Sequence, residues 1–398
     1  MDNLFSDRIA DVPRSFIREI LKVAIDPSVI SFAGGLPNRN LFPVKELRAA
    51  ANQVFDTVGR EALQYANSEG FIELRDYISV RYREKQGLEI PSDNILITNG
   101  SQQGLDLLGK TFLNKGDDVI IEEPGYLGAI QAFSIYRARF NPVPVSGSGM
   151  QVERLQEVLA ARAPKLMYLV PNFQNPSGIT YRNQNREAVA ELVKGRNILL
   201  VEDDPYRELR FTGTPQESFG KLLPDQTILL GSFSKIIAPG LRLGWIAAPA
   251  RIMPKLIVAK QASDLHSNHF AQRLIRQYLA DNDIDSHIRT IVRVYNRQRQ
   301  AMVRGIETYL PATVEHTHPE GGMFIWLTLP QGASSKRLFD LAIQDKVAFV
   351  PGSPFYVDRL ETGTLRLNFS CVDEDTIAIG MQRLGRAVEK LLDQVGGQ

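Results

Sequence analysis

Between about residue 90 and residue 250 the chain alternates short apolar runs with amphipathic stretches, and this alternation limits the fold more than any other feature. The apolar runs include Asn94–Thr98, Asp118–Ile121, Lys165–Val170, Asn197–Val201 and Gln226–Leu230. Between them, Gln151–Ala161 and Asn183–Val193 carry apolar residues at helical spacing. Strands that are apolar on both faces and separated by helices need cover on two sides. The expectation is an α/β fold with a mostly parallel central sheet covered by helices.

Beyond about residue 250 the pattern changes. A charge-studded helical stretch runs from Pro254 through Glu307, with a break expected near Asp281 to Asp285. Met323–Leu329, a helix around Ser334–Gln344, the run Ala348–Val350, the run Thr364–Phe369 and a closing helix from Asp373 predict a smaller α+β domain. The first 45 residues show no sheet-like repeat and are expected to pack on one domain or bridge both.

Composition narrows the function classes. With 46 Lys plus Arg against 45 Asp plus Glu, the net charge is +1 over 398 residues, so no broad positive field exists to coat nucleic acid or an anionic membrane. One cysteine, Cys371, rules out an intramolecular disulfide framework and a thiolate zinc cluster. The first residues are charged and lack an apolar core, and no apolar run approaches membrane-spanning length. A cytoplasmic protein is the expectation.

Ligands of open α/β sheets bind beyond the carboxyl ends of the strands. Here those ends read Asn99-Gly100-Ser101-Gln102, Asn172-Phe173-Gln174-Asn175-Pro176-Ser177-Gly178, Glu202-Asp203-Asp204-Pro205-Tyr206 and Ser232-Phe233-Ser234-Lys235. Each alone reads as a turn, a helix cap or a solvated end. Their convergence does not. Ser232, Ser234 and Arg242 suit a phosphate dianion, with the guanidinium able to bind two oxygens. Lysine beside arginine in a sheltered site has its charged form disfavoured, which makes Lys235 a candidate Schiff-base amine. A phosphate cradle, such a lysine and a carboxylate together match pyridoxal 5'-phosphate, whose ring acts as an electron sink while its nitrogen stays protonated.

On these residues the chain resembles the fold type I pyridoxal-phosphate aminotransferases, and within them the group of 2-aminoadipate and kynurenine aminotransferases. The likeness runs from Ser31-Phe32-Ala33-Gly34-Gly35-Leu36-Pro37 to the closing helix, with Ser232-Phe233-Ser234-Lys235 and Pro239-Gly240-Leu241-Arg242-Leu243-Gly244 at its centre. The resemblance implies that Lys235 carries the cofactor and moves the substrate proton, and that Asp203, three residues before Tyr206, pairs with the pyridine nitrogen. Tyr206 and Asn175 would bond the phenolic oxygen, Tyr126 would stack on the ring, and Ser101, Gln102, Ser232, Ser234 and Arg242 would hold the phosphate. Arg366 would take the substrate carboxylate, Gly35 would line the pocket, and Arg18 would reach an acidic substrate side chain. Tyr65 would reach the phosphate of a neighbouring subunit, making an obligatory homodimer with shared sites. Two domains follow: a cofactor-binding one at 46–280, and a small one from 1–45 and 281–398. The activity implied is transfer of the amino group of 2-aminoadipate, an aromatic or a leucine-like amino acid to a 2-oxo acid such as 2-oxoglutarate.

Competing readings are weaker. Ser232-x-x-Lys235 also fits serine penicillin-recognising enzymes, but Lys-Thr-Gly is missing. His266-x-x-His269 has neither the glutamate nor the third ligand of a metal helix, and no metal is expected. A lyase or β-eliminase would use the same Lys235 and Asp203. A non-catalytic aminotransferase-like effector would need a DNA-binding domain, for which the likeness, beginning near residue 10, leaves no room.

Overall fold

The computed structural model describes residues 4–10, 12 and 26–396. The strands are β1 (Ile30–Ser31), β2 (Ile95–Thr98), β3 (Asp118–Glu123), β4 (Arg139–Ser146), β5 (Gly149–Met150), β6 (Leu166–Leu169), β7 (Leu199–Asp203), β8 (Thr227–Ser232), β9 (Gly244–Ala247), β10 (Glu315–His316), β11 (Phe324–Thr328), β12 (Val347–Ala348), β13 (Val350–Pro351) and β14 (Thr364–Asn368). Eight of them form one sheet in the order β2-β9-β8-β7-β6-β3-β4-β5. Its centre is parallel, β8 to β4, as the two-face apolar runs require, and every residue of β2, β6 and β8 is buried. β9 runs antiparallel between β2 and β8. Helices Ser101–Phe112, Val152–Ala161 and Asn183–Val193 bury apolar stripes against this sheet and one another.

A second sheet, β10-β11-β14-β13, is antiparallel throughout. Ser335–Gln344 and Glu374–Gly396 are helices, as their periodicity predicts. Two expectations need correction. The stretch from Pro254 is three helices, Met253–Gln261, His269–Asp281 and Ile284–Tyr309, so a second break falls at 262–268. There Leu265 takes a left-handed conformation, and the Asn268 side chain caps the next helix by accepting from the Ala271 amide. The N-terminal region also contributes a strand: β1 pairs in parallel with β12, and the Asn368 amide donates to Phe32 O at 2.8 Å. Ala348–Val350 is accordingly split, β12 facing β1 and β13 facing β14. No described helix is long and apolar enough to cross a membrane.

Candidate active site

The carboxyl ends of β2, β6, β7 and β8 open into a cleft of about 420 Å³. Its wall carries Ser101, Gln102, Tyr126, Asn175, Asp203, Tyr206, Ser232, Ser234, Lys235 and Arg242, with Gly35 and Arg366 closing it from the other side. Twelve of the fourteen residues singled out in the sequence therefore share one cavity. Tyr65 does not line it; it stands 79% exposed with its ring edge-on to His266. Arg18 lies outside the described residues.

β8 delivers the lysine. Ser232 ends the strand, its hydroxyl accepts from the Ser234 amide at 3.1 Å, and the resulting tight turn aims Lys235 into the cleft. Lys235 Nζ donates to Gly35 O at 3.1 Å. Burial pulls the ammonium down to about 8, with Arg366 and Arg242 pushing the same way against Cys371 and Asp203. An amine that titrates there keeps a reactive neutral fraction near pH 7.

β7 delivers the acid. Asp203 is 2% exposed; its Oδ2 accepts from the Tyr168 hydroxyl at 2.7 Å, and its Oδ1 is buried without a partner among the described residues. Burial pushes the carboxyl up to about 7, opposed by Tyr168. The adjacent Asp204 points elsewhere, bonded by Asn172 Nδ2 and paired with Arg207. Tyr168 escaped the sequence reading, because nothing in an apolar strand marks one inward tyrosine as a carboxylate partner.

At the opposite end the twelve-residue helix Ser101–Phe112 begins; the Gln103 amide donates to Gly100 O at 3.2 Å, and the Ser101 and Gln102 amides precede the first intrahelical bond, where an anion can be held. Gly100 precedes it at φ +78°, and a Cβ there would stand 2.6 Å from Arg242 Nη2, so glycine admits the guanidinium. Arg242 itself is left-handed (φ 53°) and anchored by Nη2 to Asn99 O and Nη1 to Pro239 O, both at 3.3 Å. Its remaining donors are available to an anion. Gly128 was also missed: a side chain there would strike both the Tyr126 ring and Gln102, whose amide donates to Gly128 O at 3.0 Å.

Arg366, 2% exposed on β14, donates to Asn175 Oδ1 and Ala33 O, each at 2.8 Å, and packs against Phe324 at 4.4 Å. Its Nε is buried without a partner among the described residues, and burial lowers the guanidinium to about 10. Asn175 sits in a turn set by Gln174, whose amide donates to Glu122 Oε2 and Pro124 O. The same side chain thus fixes the turns that carry Asn175 and Tyr126. Because Asn175 Oδ1 is engaged by Arg366, its amide serves as a donor, and it reaches the Tyr206 hydroxyl.

A buried carboxylate with one free oxygen, a partly neutral lysine and a cationic cradle with free amides form a chemical set that fits a phosphorylated pyridine aldehyde. Residues 29–384 match the model of aminotransferase class I and II, and the chain belongs to that family; it is a pyridoxal-phosphate-dependent aminotransferase acting on amino acids. It is 39% identical to aromatic-amino-acid aminotransferase 1 of Thermococcus litoralis, over 98% of this chain and 95% of that one. It is 40% identical to the 2-aminoadipate transaminase of Thermus thermophilus, over 96% and 95%. The crystal structure of an α-aminoadipate aminotransferase from Thermus thermophilus, complexed with N-(5'-phosphopyridoxyl)-L-leucine, superposes with a TM-score of 0.92 at 39% identity, covering 98% of this chain and 99% of that one.

Proposed function

We propose that the enzyme moves the amino group of 2-aminoadipate, aromatic or leucine-like amino acids to a 2-oxo acid, with 2-oxoglutarate the usual acceptor. The observation that carries this reading is the placing of Lys235 and Asp203 in one cleft with the buried, incompletely bonded Arg366. The names of the relatives support the donor class.

When bound through Lys235, the cofactor supplies an electron sink for the pair left on the substrate α-carbon. Asp203 Oδ1 would accept from the ring nitrogen and keep it protonated. The Tyr206 hydroxyl and Asn175 amide would donate to the phenolic oxygen, and Tyr126 would cover one ring face. Ser101, Gln102, Ser232, Ser234 and Arg242 would hold the phosphate through charge-assisted bonds. Arg366 would take the α-carboxylate and so aim the α-hydrogen at Lys235, whose neutral amine would remove the proton and return it as general acid.

Gly35 would bring the backbone close to the bound amino acid. Arg18 would meet an acidic side chain; Arg18→Ala should raise KM for 2-aminoadipate far more than for leucine, and equal effects would contradict that role. We assign 46–280 to a cofactor lobe, and 1–45 with 281–398 to a small lobe, a division supported by the β1–β12 pairing. A homodimer with shared sites is proposed on exposed Leu63 and Tyr65. Sedimentation tests the assembly, and Tyr65→Phe should weaken cofactor binding if Tyr65 reaches the partner's phosphate. The cytoplasm, where amino and 2-oxo acids are exchanged, is the proposed compartment, tested by fractionation. A rapid-mixing panel, in which each amino acid is mixed with holoenzyme and the cofactor absorbance followed, tests donor class. Silence with every acidic, aromatic and leucine-like amino acid would overturn the assignment.

A further inference from the structure

A second buried lysine lies behind the anion end of the cleft, and the chemistry above does not use it. Lys260, on helix Met253–Gln261, is fully buried. Its Nζ donates to Asp264 Oδ1 at 2.7 Å, Ser267 Oγ at 3.0 Å and Gln103 Oε1 at 3.2 Å, which uses all three donors. Asp264 Oδ2 accepts from Asn99 Nδ2 at 2.5 Å and Gln103 Nε2 at 2.8 Å. Gln103 Oε1 also accepts from the Asn99 amide at 2.8 Å, and Ser267 Oγ donates to Ile97 O at 3.4 Å.

Every strand of this network ends on β2 or on the residues just after it. Asn99 is held by its side chain and its amide on one side, while its carbonyl accepts from Arg242 on the other. Between lies Gly100 at positive φ, held locally by Thr98, whose hydroxyl donates to Gly100 O at 3.0 Å. A buried ion pair is a poor source of net stability, because desolvation cancels most of the attraction. What it provides is a fixed geometry, since any movement of the loop would strand a charge or an amide away from water.

We propose that Lys260, Asp264 and Gln103 brace the Asn99–Ser101 loop from behind, and that Lys260 and Asp264 are positioning residues for the cofactor's phosphate. The inference rests on the reading of Ser101, Gln102 and Arg242 as the phosphate cradle. The brace acts on that end alone. Lys235 and Asp203, at the ring end, bond to Gly35 and Tyr168 and not to this network.

Pyridoxal, which lacks the phosphate, separates a local brace from general loosening. Equilibrium dissociation constants of pyridoxal 5'-phosphate and of pyridoxal are measured by absorbance for the full-length protein and for Lys260→Met, Asn99→Ala and Arg242→Ala. Asn99→Ala leaves the buried ion pair whole, so folding is not at stake in that variant. Loss of the brace should weaken binding of the phosphorylated form by about tenfold or more, the worth of one charge-assisted contact, and leave pyridoxal within about twofold. Equal weakening of both ligands in Lys260→Met and Asn99→Ala would overturn the proposal, as would no change in either. If Arg242→Ala alone discriminates, the cradle stands and the brace fails. If Arg242→Ala does not discriminate, the cradle reading itself fails.

Discussion

Asp203→Asn should make the cofactor-free protein more stable while disabling the enzyme. The unfolded chain ionises this carboxyl near 3.8, whereas burial holds it up to about 7 in the folded protein. Between those values the folded state binds more protons than the unfolded one, so this group's contribution to stability falls as pH rises from about 4 to about 7 and stays low above that. The interval of about three pKa units corresponds to at most ~4 kcal/mol. Asparagine is nearly isosteric and can still accept from the Tyr168 hydroxyl, so the substitution removes the buried charge and little else. Thermal unfolding of the two cofactor-free proteins from pH 5 to 9 reads the effect. The variant should unfold at the higher temperature, with a gap that widens to about pH 7 and then levels. Saturating cofactor should reverse the order, because a protonated ring nitrogen gives Asp203 the partner that its Oδ1 lacks. A wild type more stable than the variant at pH 8 without cofactor, or a gap independent of pH, would mean that Asp203 carries no burial penalty.

The other two predictions concern the cations. Lys235 titrates near 8, so at pH 7 about a tenth of it is neutral, roughly 300 times the fraction of an ordinary lysine. Cofactor capture by the stripped protein, followed by rapid-mixing absorbance, should speed up nearly tenfold per pH unit to about 8 and then flatten; a profile still rising at pH 10 would contradict the burial argument. Arg366→Ala should raise KM for the amino donor roughly a hundredfold, the loss of about 3 kcal/mol of charge-assisted bonding, with the cofactor spectrum retained. An unchanged KM would remove Arg366 from the carboxylate site.

Much of the sheet was legible because its strands are buried on both faces, which leaves unbroken apolar runs at β2, β3, β6, β7 and β8. β4 was not among the runs recognised, since Pro142 and Pro144 interrupt it; toward the sheet's edge, where only the two-residue β5 follows, prolines are tolerated. The break at 262–268 was invisible for another reason. Ala262 to Leu265 carries no proline or glycine, and the turn is held by Ser267 Oγ donating to Ile97 O on β2, by Asp264 accepting from Asn99 in the loop after it, and by Lys260 joining Asp264 to Ser267. At the site, residue types at strand ends were enough to gather the cleft. Partners were not, because Tyr168, Lys260 and Gly128 act through contacts between segments far apart in sequence. The choice of Asp203 over Asp204 as the cleft-facing acid came from its spacing to Tyr206.

The double role of Lys235, carrying the cofactor and moving the proton at the substrate α-carbon, is read by mixing wild type and Lys235→Ala, each supplied with pyridoxal 5'-phosphate, with 2-aminoadipate in a rapid-mixing spectrophotometer. Wild type should lose its cofactor band in a single fast phase and regain it on addition of 2-oxoglutarate. Lys235→Ala should lack the wild-type band and form no 2-oxo acid within the wild-type turnover time. Transamination by Lys235→Ala at the wild-type rate would leave Lys235 with neither role.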